Sequence, residues 1–168
     1  MKQAGAKFVI IRAGQNNWLD TKCAANMAGA KAAGLPRGSY WFYDSRSTPQ
    51  SQAALYIKTL NGDLGELPLF ADFEENYGGP YGGSKNWIVF INELKRLAPN
   101  KKISVYTAYY YFTDQCATAD KPYFVQFPLW IANYGAVTPK IPAPWTTWEF
   151  WQYTSTGNGP TYGVGSQG

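Results

Sequence analysis

Two acidic residues separated by a single aromatic, Asp72 and Glu74 in the run Phe70-Ala71-Asp72-Phe73-Glu74-Glu75, are the residues best placed to do chemistry. On an extended strand successive side chains alternate, so Asp72 and Glu74 share one face while Ala71, Phe73 and Glu75 share the other. Two carboxyls that close, on a strand with apolar neighbours, should push at least one toward the protonated form. That is the state a general acid needs near neutral pH. Glu75, opposite in phase, is expected at the rim or in solvent. Taken alone, Asp-x-Glu at a strand end is equally compatible with an ion pair or a loop cap.

Other chemistries are narrowed by what the chain lacks. It has no histidine, which excludes a Ser/His or Cys/His triad and a His-ligated zinc or haem site. Cys23 and Cys116 form no C-x-x-C pattern and are expected as buried free thiols. Neither a metal nor a cofactor is called for. The aromatic share is high, 17%, from 7 Trp, 13 Tyr and 9 Phe. Rings with polar tips suit sugars, which offer C–H faces for stacking and hydroxyls for hydrogen bonds. Part of that aromatic content is expected as core filling.

The net charge of +4 is modest. Its one basic cluster, Lys95, Arg96, Lys101 and Lys102, surrounds a helix end, where cations offset the helix dipole. With no basic stripe, nucleic acid is not an expected partner. No run reaches the ~20 apolar residues of a membrane span, so no membrane insertion is expected, and the N-terminus lacks the layout of a secretory signal.

The carboxylates must be held by a scaffold, and the chain reads as one domain, residues 1–168, of alternating strands and helices. Strands are expected at Phe8–Arg12, Ser39–Tyr43, Leu67–Glu74, Ile103–Thr107, Leu129–Ala132 and Thr147–Tyr153. Helices are expected from about Thr21 to Ala33, from Pro49 to Leu60, and from a Ser84 cap to near Pro99. The Gly-rich piece Asn76–Gly83 reads as a mobile loop. Parallel barrels place their chemistry at the C-terminal ends of strands. Asp72 and Glu74, Tyr106, Asn133 with Tyr134, and Gln152 with Tyr153 all fall at such ends.

Six blocks then occur in an order and spacing that resemble glycoside hydrolase family 25: AGAKFVIIRAG, AKAAGLPRGSYWFY, LPLFADFEE, ISVYT, PLWIANY and WEFWQYTSTG. The resemblance implies a flattened, incomplete (β/α) TIM-like barrel of the α/β class. It implies a muramidase, or lysozyme, cutting the β-1,4 bond between N-acetylmuramic acid and N-acetylglucosamine in peptidoglycan. Glu74 would protonate the leaving oxygen, and Asp72 would support the substrate acetamido group that attacks the anomeric carbon. Tyr40 falls in the family block Gly-x-Tyr-x-Phe as a hydrogen-bond donor near the reacting sugar. Tyr106, Trp130, Tyr134, Trp151 and Gln152 are expected as stacking and hydrogen-bonding walls, although strand alternation turns only one of each neighbouring pair inward. Trp41 stands where many relatives carry histidine.

The family also carries an Asp on a strand ahead of the FVIIR block and another soon after WQY. Met1–Lys7 and the run to Gly168 contain neither, which predicts a barrel with two unpaired strand edges. The expected partners are glycan strands of the bacterial cell wall, met outside the cell or on phage lysis. The protein is expected to be a monomer unless those edges drive association. A non-catalytic carbohydrate-binding barrel and a chitinase-like glycosidase are the alternatives. The second usually needs an Asp two residues before Asp72, where Phe70 stands.

Overall fold

The computed structural model describes residues 1–163. After β1 (Val9–Gln15) the chain doubles back through a two-residue strand, β2 (Trp18–Leu19), then runs through α1 (Cys23–Ala32), β3 (Arg37–Phe42), α2 (Pro49–Leu60), β4 (Leu69–Phe73), α3 (Ser84–Leu97) and β5 (Ile103–Ala108). Two short helices, α4 (Tyr109–Gln115) and α5 (Lys121–Phe124), lead to β6 (Leu129–Ala132) and β7 (Phe150–Gln152). The strands form one sheet in the order β2-β1-β3-β4-β5-β6-β7, in which β1 and β3 to β7 run parallel and β2 is antiparallel on the edge of β1.

The sheet is flattened, barrel-like and open, as expected from an incomplete barrel. Among the described residues β1 and β7 are not hydrogen-bonded to each other. Their ends nevertheless approach, and the Phe8 and Phe150 rings meet edge-on with centroids 5.6 Å apart. Strand alternation then separates two environments. Ile11, Trp41, Leu69, Ala71, Phe73, Val105 and Ile131 belong to the buried core under the helices, where Phe73 stacks on Trp87 at 4.8 Å. The alternate positions Ile10, Arg12, Tyr40, Phe70, Asp72, Tyr106, Trp130 and Gln152 take the opposite face, inside the curl of the sheet.

Local chemistry sets the element ends. Thr48 caps α2, accepting from the Ser51 amide at 3.3 Å, and Asn61 stops it in the left-handed conformation. At α3 the cap is Gly83 rather than the expected Ser84. The Ser84 hydroxyl is used elsewhere: it donates to Asp120 at 2.7 Å and accepts from the Ala117 amide at 3.1 Å, fastening the α4–α5 connection. At the N-terminal end of the sheet the buried Arg37 donates to Asp63 at 2.7 Å and Glu66 at 2.7 Å. That cluster sits on the helix side of the sheet, where Arg37 also donates to the Met27 carbonyl of α1 at 3.3 Å, whereas the carboxylates lie on the opposite face near the other end of the strands.

Candidate active site

β4 delivers Asp72 as its second-last residue, and Glu74 follows one position beyond the strand. Their common phase, read from the sequence, turns both into one groove of about 420 Å³, which Tyr40, Tyr106, Trp130 and Gln152 also line. The floor is aromatic. Trp130 meets Phe70 at 5.1 Å and Tyr106 at 4.6 Å, and Phe70 meets Phe150 at 5.3 Å. Such a floor excludes water from beneath the carboxyls and strengthens every electrostatic interaction above it.

Asp72 is buried, and its Oδ1 has no hydrogen-bond partner among the described residues. Burial, together with the neighbouring Glu74 charge, pushes its carboxyl well above the usual carboxylate range, while the Arg12 charge offsets part of that rise. A buried polar atom without a partner is rare in folded proteins and marks a place where a ligand group completes the bonding. Glu74 is half-buried. Burial raises its pKa, the Tyr106 hydroxyl pulls it down, and the exposed Glu75 raises it again. The pair therefore supplies carboxyls whose hold on a proton is strengthened by burial, set side by side on one groove wall.

Glu74 Oε2 and Gln152 Oε1 lie 3.1 Å and 2.8 Å from the Tyr106 hydroxyl, and the Tyr134 hydroxyl donates to Gln152 Oε1 at 3.3 Å. Tyr106, Tyr134 and Gln152 thus form one polar wall running up from Glu74 to the rim. Tyr40 faces them from β3, next to Arg12 in the β1–β3 register and 6.3 Å from the Trp130 ring. Burial and the Asp72 charge push its phenol up to about 12, so it stays a neutral hydrogen-bond donor.

Trp151 is placed differently from the other sequence-derived candidates. In register with the core residue Ile131, it turns away from Asp72, and its indole N–H donates to the Asn133 carbonyl at 2.9 Å. It borders instead an adjoining slot between β1 and β7, shared with Phe8, Ile10 and Phe150. Alternation explains this, since Gln152 next to it points inward. Trp41 also turns outward into the core, donating to Gln52 at 3.2 Å, so the residue that replaces the family's histidine is remote from the groove.

Two features escaped the sequence reading. The Asn76–Gly83 loop is fastened rather than free. Gly79 donates to the Ser45 hydroxyl and Tyr81 to the Ser45 carbonyl, both at 2.9 Å, and a Cβ at Gly79 would lie 2.2 Å from that carbonyl oxygen. Arg12, expected only as the last residue of the strand Phe8–Arg12, is a half-buried cation whose charge reaches both Asp72 and Glu74. A cation directly after the apolar run Phe8–Ile11 was the available signal, because such a group calls for a partner.

A family profile described as glycosyl hydrolases family 25 matches residues 1–162. Lysozyme M1 of Streptomyces globisporus is 29% identical, over 94% of this chain and 57% of its own length. The chain therefore spans a little over half of that relative. Among solved structures, the bacterial lysozyme from Streptomyces coelicolor is 26% identical with a TM-score of 0.76, over 93% of this chain and 76% of that one. A family GH25 lysozyme from Aspergillus fumigatus is 28% identical with a TM-score of 0.75, over 92% of this chain and 79% of that one.

Proposed function

The chain belongs to glycosyl hydrolases family 25, and on that premise we propose that its groove is the active site of a muramidase, cleaving the β-1,4 bond from N-acetylmuramic acid to N-acetylglucosamine in peptidoglycan. The observation that carries this reading is the pairing of Asp72 and Glu74 on one groove wall, with Asp72 Oδ1 buried and unpartnered. Glu74 keeps its proton by burial and delivers it to the leaving oxygen. The acetamido carbonyl of the bound sugar attacks the anomeric carbon, and its N–H donates to Asp72. Burial and the Glu74 charge hold the Asp72 carboxyl toward its neutral form in the free protein; the positive charge that develops on the resulting ring favours its ionised form, which stabilises that ring. Water then opens that ring with Glu74 acting as base, so the β configuration is retained.

Tyr40, Tyr106, Tyr134 and Gln152 bind hydroxyl and acetamido groups in this scheme, while Trp130 forms the apolar floor. Trp151 contributes at most through the neighbouring slot. The site of action is the bacterial cell wall, the chain works as one domain, and no metal ion enters a step. Purified peptidoglycan provides the test: the chain should generate new reducing ends, and Glu74→Gln should stop their release while retaining glycan binding. Binding without release by the unaltered chain would assign it to a carbohydrate-binding role instead.

A further inference from the structure

We infer that Arg12 forms a subsite for a carboxylate carried by the sugar bound at Asp72, and so selects for acidic over neutral amino sugars. This deepens the muramidase reading and rests on it for the identity of the sugar. Arg12 follows Ile10 on the inward face of β1, one step nearer the rim, and is in register with Tyr40 on β3. Its guanidinium lies 4.6 Å from the centre of the Trp18 ring and 5.7 Å from that of Phe42. Among the described residues it makes no ion pair, its Nε is buried without a partner, and its one polar contact is to Gln15 Oε1.

The surroundings keep that cation available. Asp44, the carboxylate beyond Gln15, is engaged by Arg46 through bonds of 2.9 Å and 2.6 Å. The Gln15 amide turns its N–H2 to Asp44 at 3.3 Å and to the Tyr77 hydroxyl at 3.1 Å, so its oxygen is the side that faces Arg12. Trp18 is held over the guanidinium by a tight β1–β2 hairpin at which any side chain on Gly14 would clash, its Cβ lying 2.4 Å from the Trp18 carbonyl. A cation fixed between aromatic faces, with donors unpaired, is built to receive an anion.

The anion is a carboxylate rather than a phosphate. A planar guanidinium can hold either group in a two-bond fork, but beside Asp72 and Glu74 a singly charged carboxylate is repelled less than a doubly charged phosphate. N-acetylmuramic acid bears such a group on its lactyl ether. When a peptide caps that group, the carboxylates of the stem offer the same chemistry from farther away.

The measurement is binding to soluble alternating N-acetylmuramic acid and N-acetylglucosamine tetrasaccharides, using Glu74→Gln protein to prevent turnover. Three ligands are compared: the free lactyl acid, its methyl ester, and the form amidated by an alanyl-glutamyl dipeptide. The free acid should bind about tenfold or more tighter than the ester, the gain of a charge-assisted bond. Adding Arg12→Gln should erase that difference and leave the ester's affinity within about twofold. A dipeptide form that also exceeds the ester places the carboxylate on the stem; one that equals the ester places it on the lactyl group. The acid–ester comparison needs no Arg12 variant and so does not depend on that variant folding. Equal binding of acid and ester, or a preference that survives Arg12→Gln, would overturn the inference. The muramidase reading fails separately, on the absence of new reducing ends.

Discussion

The Tyr106 hydroxyl stands between Glu74 Oε2 at 3.1 Å and Gln152 Oε1 at 2.8 Å, two acceptors for one proton. When Glu74 is ionised the proton turns to it, and the Tyr134 hydroxyl still serves Gln152 at 3.3 Å. When Glu74 is protonated the Tyr106 proton turns to Gln152, and the carboxyl proton has the phenol oxygen as an acceptor. The wall therefore accommodates both states that an acid must visit in one cycle. Tyr106 lowers the Glu74 pKa, so Tyr106→Phe should move the loss of activity at the alkaline end to higher pH and reduce turnover about tenfold. A pH–rate profile checks this, and an unshifted alkaline limb would contradict it.

Substitution within β4 tests the division of roles. Glu74→Gln removes a transferable proton and should lower turnover by about 10²-fold or more. In the proposed mechanism Asp72→Asn removes the charge that would face the acetamido-derived ring, and it should be comparably severe. Glu75→Gln is the control, since Glu75 is exposed and opposite in phase, and should change the rate less than about twofold. Initial rates on peptidoglycan provide the comparison. A selective loss in Glu75→Gln would reverse the assignment.

The Asp72 carboxyl also makes stability depend on pH. Its folded pKa lies above its unfolded one because of burial and the Glu74 charge. The proton is bound more tightly in the folded state, so the native state gains stability as pH falls toward the unfolded pKa and loses it as pH rises through the raised folded one. Asp72→Asn removes that loss. It should raise the melting temperature at neutral pH, with the gain shrinking toward about pH 4. Thermal melts at both pH values check this, and a gain of equal size at both would contradict it.

The Arg37 cluster has the opposite sign. Hydrogen bonds from Arg37 draw Asp63 and Glu66 down to about 2. Their contribution is complete above the unfolded carboxylate pKa values and is lost as pH falls through the folded ones, a window of about pH 4.5 to 2. Both acids are substantially exposed, so Asp63→Asn and Glu66→Gln should each cost less than about 1 kcal/mol. Arg37→Ala, which also empties a buried site, should cost about 2 kcal/mol and flatten stability against pH across that window. Denaturant titrations at several pH values measure both.

What the sequence disclosed depended on how strongly each element was patterned. The phase of Asp72 and Glu74 was legible because Leu69, Ala71 and Phe73 alternate with them on a strand packed against helices. Helix α2 was legible to the residue, since Pro49 opens it and Asn61 closes it. Tyr106 and Gln152, named from strand ends, and Trp130, named as a cleft wall from the family resemblance, all line the groove. Trp151 could not be separated from Gln152, because β7 is three residues long and carries no pattern of its own. Helix α4 was hidden by its composition: Tyr109, Tyr110, Tyr111 and Phe112 are poor helix formers, held helical by the packing of Phe112 on Trp145 and Phe124. The Arg12 corner depends on the β1–β2 hairpin, a two-residue pairing with no periodic signal.

The identity of the sugar at the new reducing end shows which glycosidic bond the groove cleaves. Peptidoglycan digested by the chain, reduced with borohydride and hydrolysed, should yield reduced muramic acid from every cut, with release lost in Glu74→Gln. Reduced glucosamine instead would place the cut at the other glycosidic bond and contradict the muramidase assignment, as would the absence of any reduced sugar above the undigested control.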